Sequence, residues 1–338
     1  MTFNRFIAKA FMKATAWIRA ASALTLLGIG TAQAFDLQGH RGARGLAPEN
    51  TLAAFERALE VGVHTLELDI VITRDGAAVI GHDPKLNPNI VRNASGQWLS
   101  APGPAISSLT LAEVRAFDVG RLKPGTRYAQ TYPEQVAADG ERMPALADLF
   151  ARVRALGADT VRFNIEAKLT PLEPDVTPSP EVFVKAIVDA VNAHGMASRV
   201  SLQSFDWRTL AVAQRIAPRV PRVALSAQQD WLNNIADPRW TAGLTLTEHG
   251  SVPRMAKAAG ANIWSPFFGD LSAELLIEAR ALGMKVVVWT VNQPADIDRM
   301  LAMGVDGIIS DYPDRVRTAM AARGMALPTP LPRVASPR

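Results

Sequence analysis

Eight times between residues 35 and 322, a short run rich in β-formers is followed by a stretch with helical spacing, and this alternation constrains the fold more than any other feature. Strands that alternate with helices form parallel sheets, because each helix carries the chain back to the edge where the last strand began. The spacing predicts strands over residues 36–39, 65–70, 162–167, 199–203, 222–226, 262–266, 285–290 and 307–310. Between them apolar residues recur at helical intervals, as in Thr51 to Leu59 and Leu271 to Arg280. Eight such units predict a closed (β/α)8 TIM barrel. An open dinucleotide-binding sheet is disfavoured, because no Gly-x-Gly-x-x-Gly turn follows the first strand.

Three segments break the rhythm. Residues 84–144 are rich in Pro, Gly, Asn and Ser and read as an insertion above the barrel, after a β-hairpin that follows strand 2. Residues 323–338 are proline-rich and are expected to be a disordered tail beyond a domain that spans 35–322. Residues 1–34 carry Arg5, Lys9, Lys13 and Arg19 without an acid, then the apolar run Ala20 to Ile29 and the triplet Ala32-Gln33-Ala34. That order reads as a secretory signal peptide, with Met12 an alternative start, and the protein is expected to be exported, periplasmic or secreted. The apolar run is too short for a membrane span, which takes about 20 residues.

Charge matters only once that segment is set aside. The chain has 36 Lys and Arg against 32 Asp and Glu, and removing the four leading cations leaves 32 against 32. A near-neutral protein gives no reason to expect a nucleic-acid partner. With no cysteine, disulfides and thiolate metal sites are excluded.

In a barrel of this type chemistry collects where strands end. The first strand ends in Gly39-His40-Arg41-Gly42, an imidazole that moves protons near neutral pH beside a guanidinium that fits phosphate. In Thr65 to Ile70 the side chains alternate, so Glu67 and Asp69 share one face while Leu66, Leu68 and Ile70 face the helices. The Asp75-Gly76 pair predicts a two-residue hairpin in which partner numbers sum to 151, bringing His82 opposite Asp69. Asn164 to Lys168 adds Glu166 and Lys168 on one face. Three carboxylates form an oxygen-only site that suits one divalent cation, Ca²⁺ or Mg²⁺. Two histidines, two cations and three carboxylates match what cleavage of a phosphodiester requires.

The ordered series His40-Arg41-Gly42, Pro48-Glu49-Asn50-Thr51, Glu67-Leu68-Asp69, Asp75-Gly76, His82-Asp83, Asn164 to Lys168, Trp289 to Asn292 and Gly304 to Asp311 resembles the glycerophosphodiester phosphodiesterases, in their longer, exported form. The resemblance implies metal-dependent hydrolysis of a small glycerophosphodiester to glycerol 3-phosphate and an alcohol. It implies His40 as base and His82 as acid, Glu67, Asp69 and Glu166 as metal ligands, and Arg41 and Lys168 on the phosphate, with Glu49 in support. The substrate's adjacent hydroxyl would attack phosphorus, giving a cyclic phosphate that water opens. The insertion is expected to shape the alcohol end of the site.

Trp289, at the end of an apolar strand, is either core or a glycerol-facing wall, and Gln203 either binds substrate or is a satisfied rim group. Asp306 and Asp311 are expected in turn or capping roles, and His64, His194 and His249 outside the site. Three other readings remain open at this stage. They are a phospholipase D-like enzyme acting on lipid headgroups, a glycosidase that needs only two of the carboxylates, and a non-catalytic binding protein on the same barrel.

Overall fold

The computed structural model describes residues 35–333, so the expected signal peptide and residues 334–338 lie outside the described residues. Eight parallel strands form the barrel: β1 (Asp36–Gly39), β2 (Thr65–Ile72), β3 (Arg162–Ala167), β4 (Val200–Ser204), β5 (Arg222–Ser226), β6 (Ile263–Pro266), β7 (Lys285–Val288) and β8 (Gly307–Ser310). β1 pairs with both β2 and β8, which closes the ring and leaves no exposed edge in it.

Alternation along the strands builds two environments from one segment. In β2 the side chains of Leu66, Leu68 and Ile70 join Phe55, Phe150 and Phe163 in the apolar layer beneath the outer helices. Glu67 and Asp69 are left inside the barrel, both buried. Helix α1 (Leu52–Val61) begins where Thr51 accepts a hydrogen bond from the N–H of Ala54, which satisfies one of the free donors at its start.

The hairpin after β2 differs from its expected register. The ladder pairs Ile70 with Ile80, Val71 with Val79 and Ile72 with Ala78, one residue out of the predicted match. The N–H of Thr73 donates to the carbonyl of Ala77 and that of Gly76 to Thr73, so the loop holds three residues, with Gly76 at φ +81° as its left-handed member. The partner of Asp69 is therefore Gly81, whose N–H donates to the Asp69 carbonyl. The return strand Ala78–Ile80 ends before His82, which leaves the ladder and is freed from its alternation.

Val71 and Val79, directly paired, face away from the barrel core. They nucleate a second apolar cluster with Leu86, Ile90, Val91, Ile106, Val114, Val119 and Met143, so residues 84–144 have a small core of their own seated on the hairpin. Residues 323–333, the described part of the expected tail, run along the outside of the barrel. Leu331 packs on the core and donates its N–H to the carbonyl of Leu59, and Arg317 donates to the carbonyl of Pro328. A proline-rich strand has few donors of its own, so it docks mainly through apolar side chains and carbonyls. Among the described residues no helix is long and apolar enough to cross a membrane.

Candidate active site

β2 and β3 lie side by side in register, with Asp69 opposite Glu166, so their inward carboxylates meet. One oxygen from each of Glu67, Asp69 and Glu166 lies within 4.8 Å of the others. Burial first, then repulsion from Asp69 and Glu166, pushes Glu67 well above the carboxylate range. Burial and Asp69 likewise push Glu166 up to about 7, against the pull of Lys168. Burial acts the same way on Asp69, but Arg41, His82 and Lys168 outweigh it and hold that carboxyl below its ordinary value.

These residues fit a hard cation. Asp69 Oδ1 is buried without a hydrogen-bond partner, an arrangement that is unfavourable unless something supplies positive charge there. Oxygens bound to one Ca²⁺ at about 2.3–2.6 Å sit at most ~5 Å apart, which matches the spacing of the trio.

His40 follows β1, its backbone N–H donating to the carbonyl of Ser310. Its Nδ1 lies 2.6 Å from Asp311 Oδ1, so the ring proton sits on Nδ1 and Nε2 carries a free lone pair, 3.9 Å from Glu67 Oε2. Burial and the neighbouring Arg44 lower His40 to about 4, against the opposing pull of Asp311. Arg44 donates through Nε and Nη2 to the two Asp311 oxygens, and Asn292 donates a third bond to Oδ2.

His82 has a parallel arrangement built from different residues. Its Nδ1 lies 2.8 Å from Asp83 Oδ1, and Asp83 Oδ2 accepts from Asn87 at 2.7 Å. Burial lowers His82, and Arg41 and Lys168 add to the effect, while Asp69 and Asp83 oppose it.

The motif Pro48-Glu49-Asn50-Thr51 serves three partners. Glu49 Oε1 accepts from Arg41 Nη1 at 2.6 Å, Asn50 donates to Asp69 Oδ2 at 2.9 Å, and Thr51 caps α1. Arg41 itself stands at φ +49°, which turns its N–H onto Glu67 Oε2 at 2.8 Å. Lys168 Nζ lies 2.8 Å from Glu166 Oε1 and 3.8 Å from Asp69 Oδ1.

His40, His82, Arg41, Glu67, Glu166 and Lys168 line a cavity of about 780 Å³ at the C-terminal ends of the strands. One wall is aromatic: Trp289 packs edge-on against Phe205 at 5.2 Å and Trp231 at 6.1 Å, with its indole N–H on the carbonyl of Ser265. Pro84 to Asn89 and Pro102 from the insertion also line the cavity.

Gln203 and Glu49 both bond to other residues of the site. Gln203 is buried and donates to Glu67 Oε1 at 2.7 Å while accepting from Asn164, so its side chain orients the acid cluster. Glu49 is outside the residues lining the large cavity and bonds to Arg41 and Tyr128. Asp311 corrects the sequence reading: it grips His40 and Arg44 and does not cap a turn. Asp306 does sit at a turn, bridging the ends of β7 and β8 at the other rim of the barrel. Arg44 and Tyr128 were not singled out in the sequence, because each acts on a residue remote in the chain, and Asn292 stood there only as the end of a motif with no role of its own.

Residues 40–315 match the Glycerophosphoryl diester phosphodiesterase family. The chain is 30% identical over 275 residues to the glycerophosphodiester phosphodiesterase of Caldanaerobacter subterraneus subsp. tengcongensis, covering 81% of this chain and 93% of that one. The Bacillus subtilis enzyme of the same name is 27% identical over 281 residues, with 81% and 83% covered. A crystal structure from Silicibacter pomeroyi DSS-3, named after the same family, superposes with a TM-score of 0.77 at 35% identity, covering 87% of this chain and 95% of that one.

Proposed function

Because the chain belongs to the glycerophosphoryl diester phosphodiesterase family, we propose that it hydrolyses small glycerophosphodiesters to glycerol 3-phosphate and an alcohol with His40 and His82 as base and acid. The observation that carries this reading is the pairing of two aspartate-held imidazoles on one cavity that Glu67 and Glu166 of the acidic trio also line.

Glu67, Asp69 and Glu166 would hold one Ca²⁺ or Mg²⁺, and such an ion, when bound, supplies a Lewis-acid grip on phosphate oxygens. Arg41 and Lys168 face the same space and neutralise the phosphodiester's charge as it grows. Neutral His40 takes the proton of the glycerol hydroxyl adjacent to the phosphoester through Nε2 as that oxygen bonds to phosphorus. The bond from phosphorus to the alcohol oxygen breaks, and protonated His82 gives that oxygen its proton. Water then opens the cyclic phosphate with the two roles exchanged. The depressed value of His40, about 4, supports its assignment as the base, since it is neutral near pH 7. Burial lowers His82 as well, and Asp69 and Asp83 oppose that shift, in the direction of the imidazolium that an acid requires.

The apolar wall of Phe205, Trp231 and Trp289 fits the carbon skeleton of the glycerol or alcohol. Export is part of the proposal and rests on the basic-then-apolar order of residues 5–34; a mature amino terminus at Phe35 in a secreted or periplasmic fraction tests it.

The decisive experiment follows glycerol 3-phosphate released from glycerophosphocholine, with and without a chelator and with Ca²⁺ or Mg²⁺ restored. Release that ignores the chelator removes the metal from the proposal. Activity confined to micellar lipid would redirect it to lipid headgroups.

A further inference from the structure

The insertion contributes the helix Arg127–Thr131, and its Tyr128 is absent from the cavity lining. We infer that Tyr128 is a positioning residue for Arg41, acting through Glu49, so that the insertion completes the phosphate site as well as walling the cavity. The inference rests on the reading that Arg41 holds phosphate.

The Tyr128 hydroxyl donates to Glu49 Oε2, while Glu49 Oε1 accepts from Arg41 Nη1 at 2.6 Å. Arg41 Nε stands 3.2 Å from Asp69 Oδ2, so the guanidinium is held between two carboxylates, all three groups buried. Burial raises the Tyr128 hydroxyl, and the Glu49 carboxylate raises it further, which keeps it a donor. Without that donor, Glu49 Oε2 would be a buried acceptor with one partner fewer, free to swing both oxygens onto Arg41 and draw the guanidinium back from the cavity.

The helix and the residues that follow it also brace Arg44. Arg44 lies 4.7 Å over the Tyr132 ring and 3.4 Å from the Tyr128 hydroxyl, and Gln135 donates to the Arg44 carbonyl. The helix is fixed through Tyr128, half-buried, which packs against the apolar cluster of the insertion and makes polar contacts to Glu49 and to Arg44 on the loop that carries His40 and Arg41.

The test uses the full chain with its divalent cation, inorganic phosphate as a competitive probe, and turnover of glycerophosphocholine. Tyr128→Phe removes only the hydroxyl. It should weaken phosphate inhibition and lower kcat/KM by about tenfold each, the scale of one lost bond to a charged group, with the thermal midpoint little changed. Glu49→Gln should do the same, and the double variant should be no worse than Glu49→Gln alone; losses that multiply would mean that Tyr128 acts by general loosening, and would overturn the inference. If Tyr128→Phe does not fold, Glu49→Gln alone carries the test, and phosphate inhibition within twofold of the parent overturns the inference. Arg41→Ala separates the two failures. Should it leave phosphate inhibition intact, the phosphate reading falls; should it abolish inhibition while Tyr128→Phe does nothing, only the positioning inference falls.

Discussion

His40 Nδ1 and Asp311 Oδ1 stand 2.6 Å apart although 271 residues separate them in the chain. The contact exists because the barrel closes β8 onto β1, with Gly39 opposite Ser310. A carboxylate on Nδ1 selects the tautomer that leaves Nε2 able to accept a proton. This gives the bond a defined chemical consequence.

Asp311→Asn should therefore lower kcat by about 100-fold or more with little change in KM, the scale of a lost general base. The amide still fills the space but can leave the wrong nitrogen protonated. Steady-state kinetics on glycerophosphocholine check this, and an unaltered kcat would separate Asp311 from the reaction.

The pH profile offers a second check. A base must be unprotonated, and His40 at about 4 stays so from pH 5 upward. At saturating Ca²⁺ or Mg²⁺, kcat/KM should show no acid limb from His40 between pH 5 and 8. A limb near 6.5 that vanishes in His40→Ala would contradict the buried, Arg44-depressed imidazole.

Burial and mutual repulsion raise Glu67 and Glu166 above their unfolded values, Glu166 to about 7. For a raised folded value, stability is present at low pH and is lost as pH climbs through the folded value. The ion-free protein should thus weaken as pH passes about 7, while a bound cation offsets the repulsion. A chelator should lower the thermal midpoint more at pH 8 than at pH 5.5, and equal shifts would argue against a cation at this trio.

His82→Ala should reduce turnover of glycerophosphocholine by about 100-fold or more. A nitrophenyl diester of glycerol phosphate, whose leaving group needs no proton, should lose far less. Equal losses on both substrates would mean His82 is not the acid, and full retention would favour a reaction that uses the carboxylates alone.

Gly42 has φ +83°, and a Cβ there would stand 2.5 Å from the carbonyl carbon of Ala54. Gly42→Ala should destabilise the fold by more than about 1 kcal/mol, through strain at positive φ and collision with α1. Urea unfolding measures it, and a change within error would mean that α1 moves aside freely.

Much of the architecture was legible in local pattern. β1, β3, β5 and β8 have the predicted bounds, because buried parallel strands announce themselves as apolar runs between helical stretches. Alternation alone placed Glu67 and Asp69 on one inner face. The hairpin register was not legible in the same way, since Asp75-Gly76 suits two-residue and three-residue loops alike and the Thr73 side chain is what closes the longer one. His82 reaches the cavity by leaving the ladder at Gly81, a route that periodicity cannot describe. Arg44 and Tyr128 escaped notice, and Asp311 was read as a turn or capping residue, for a different reason: their partners are tertiary. The available signal for Asp311 was that the last strand of a closed barrel must neighbour the first, which puts the residue after Ser310 next to His40.

The join between β1 and β8 also sets an order in time. His40 is among the earliest residues of the domain to be synthesised and Asp311 among the last, so the imidazole lacks its carboxylate partner until the ring is sealed. A chain opened at that join could keep its helices and still be chemically silent, which would make turnover itself a sensitive report that the circle is whole.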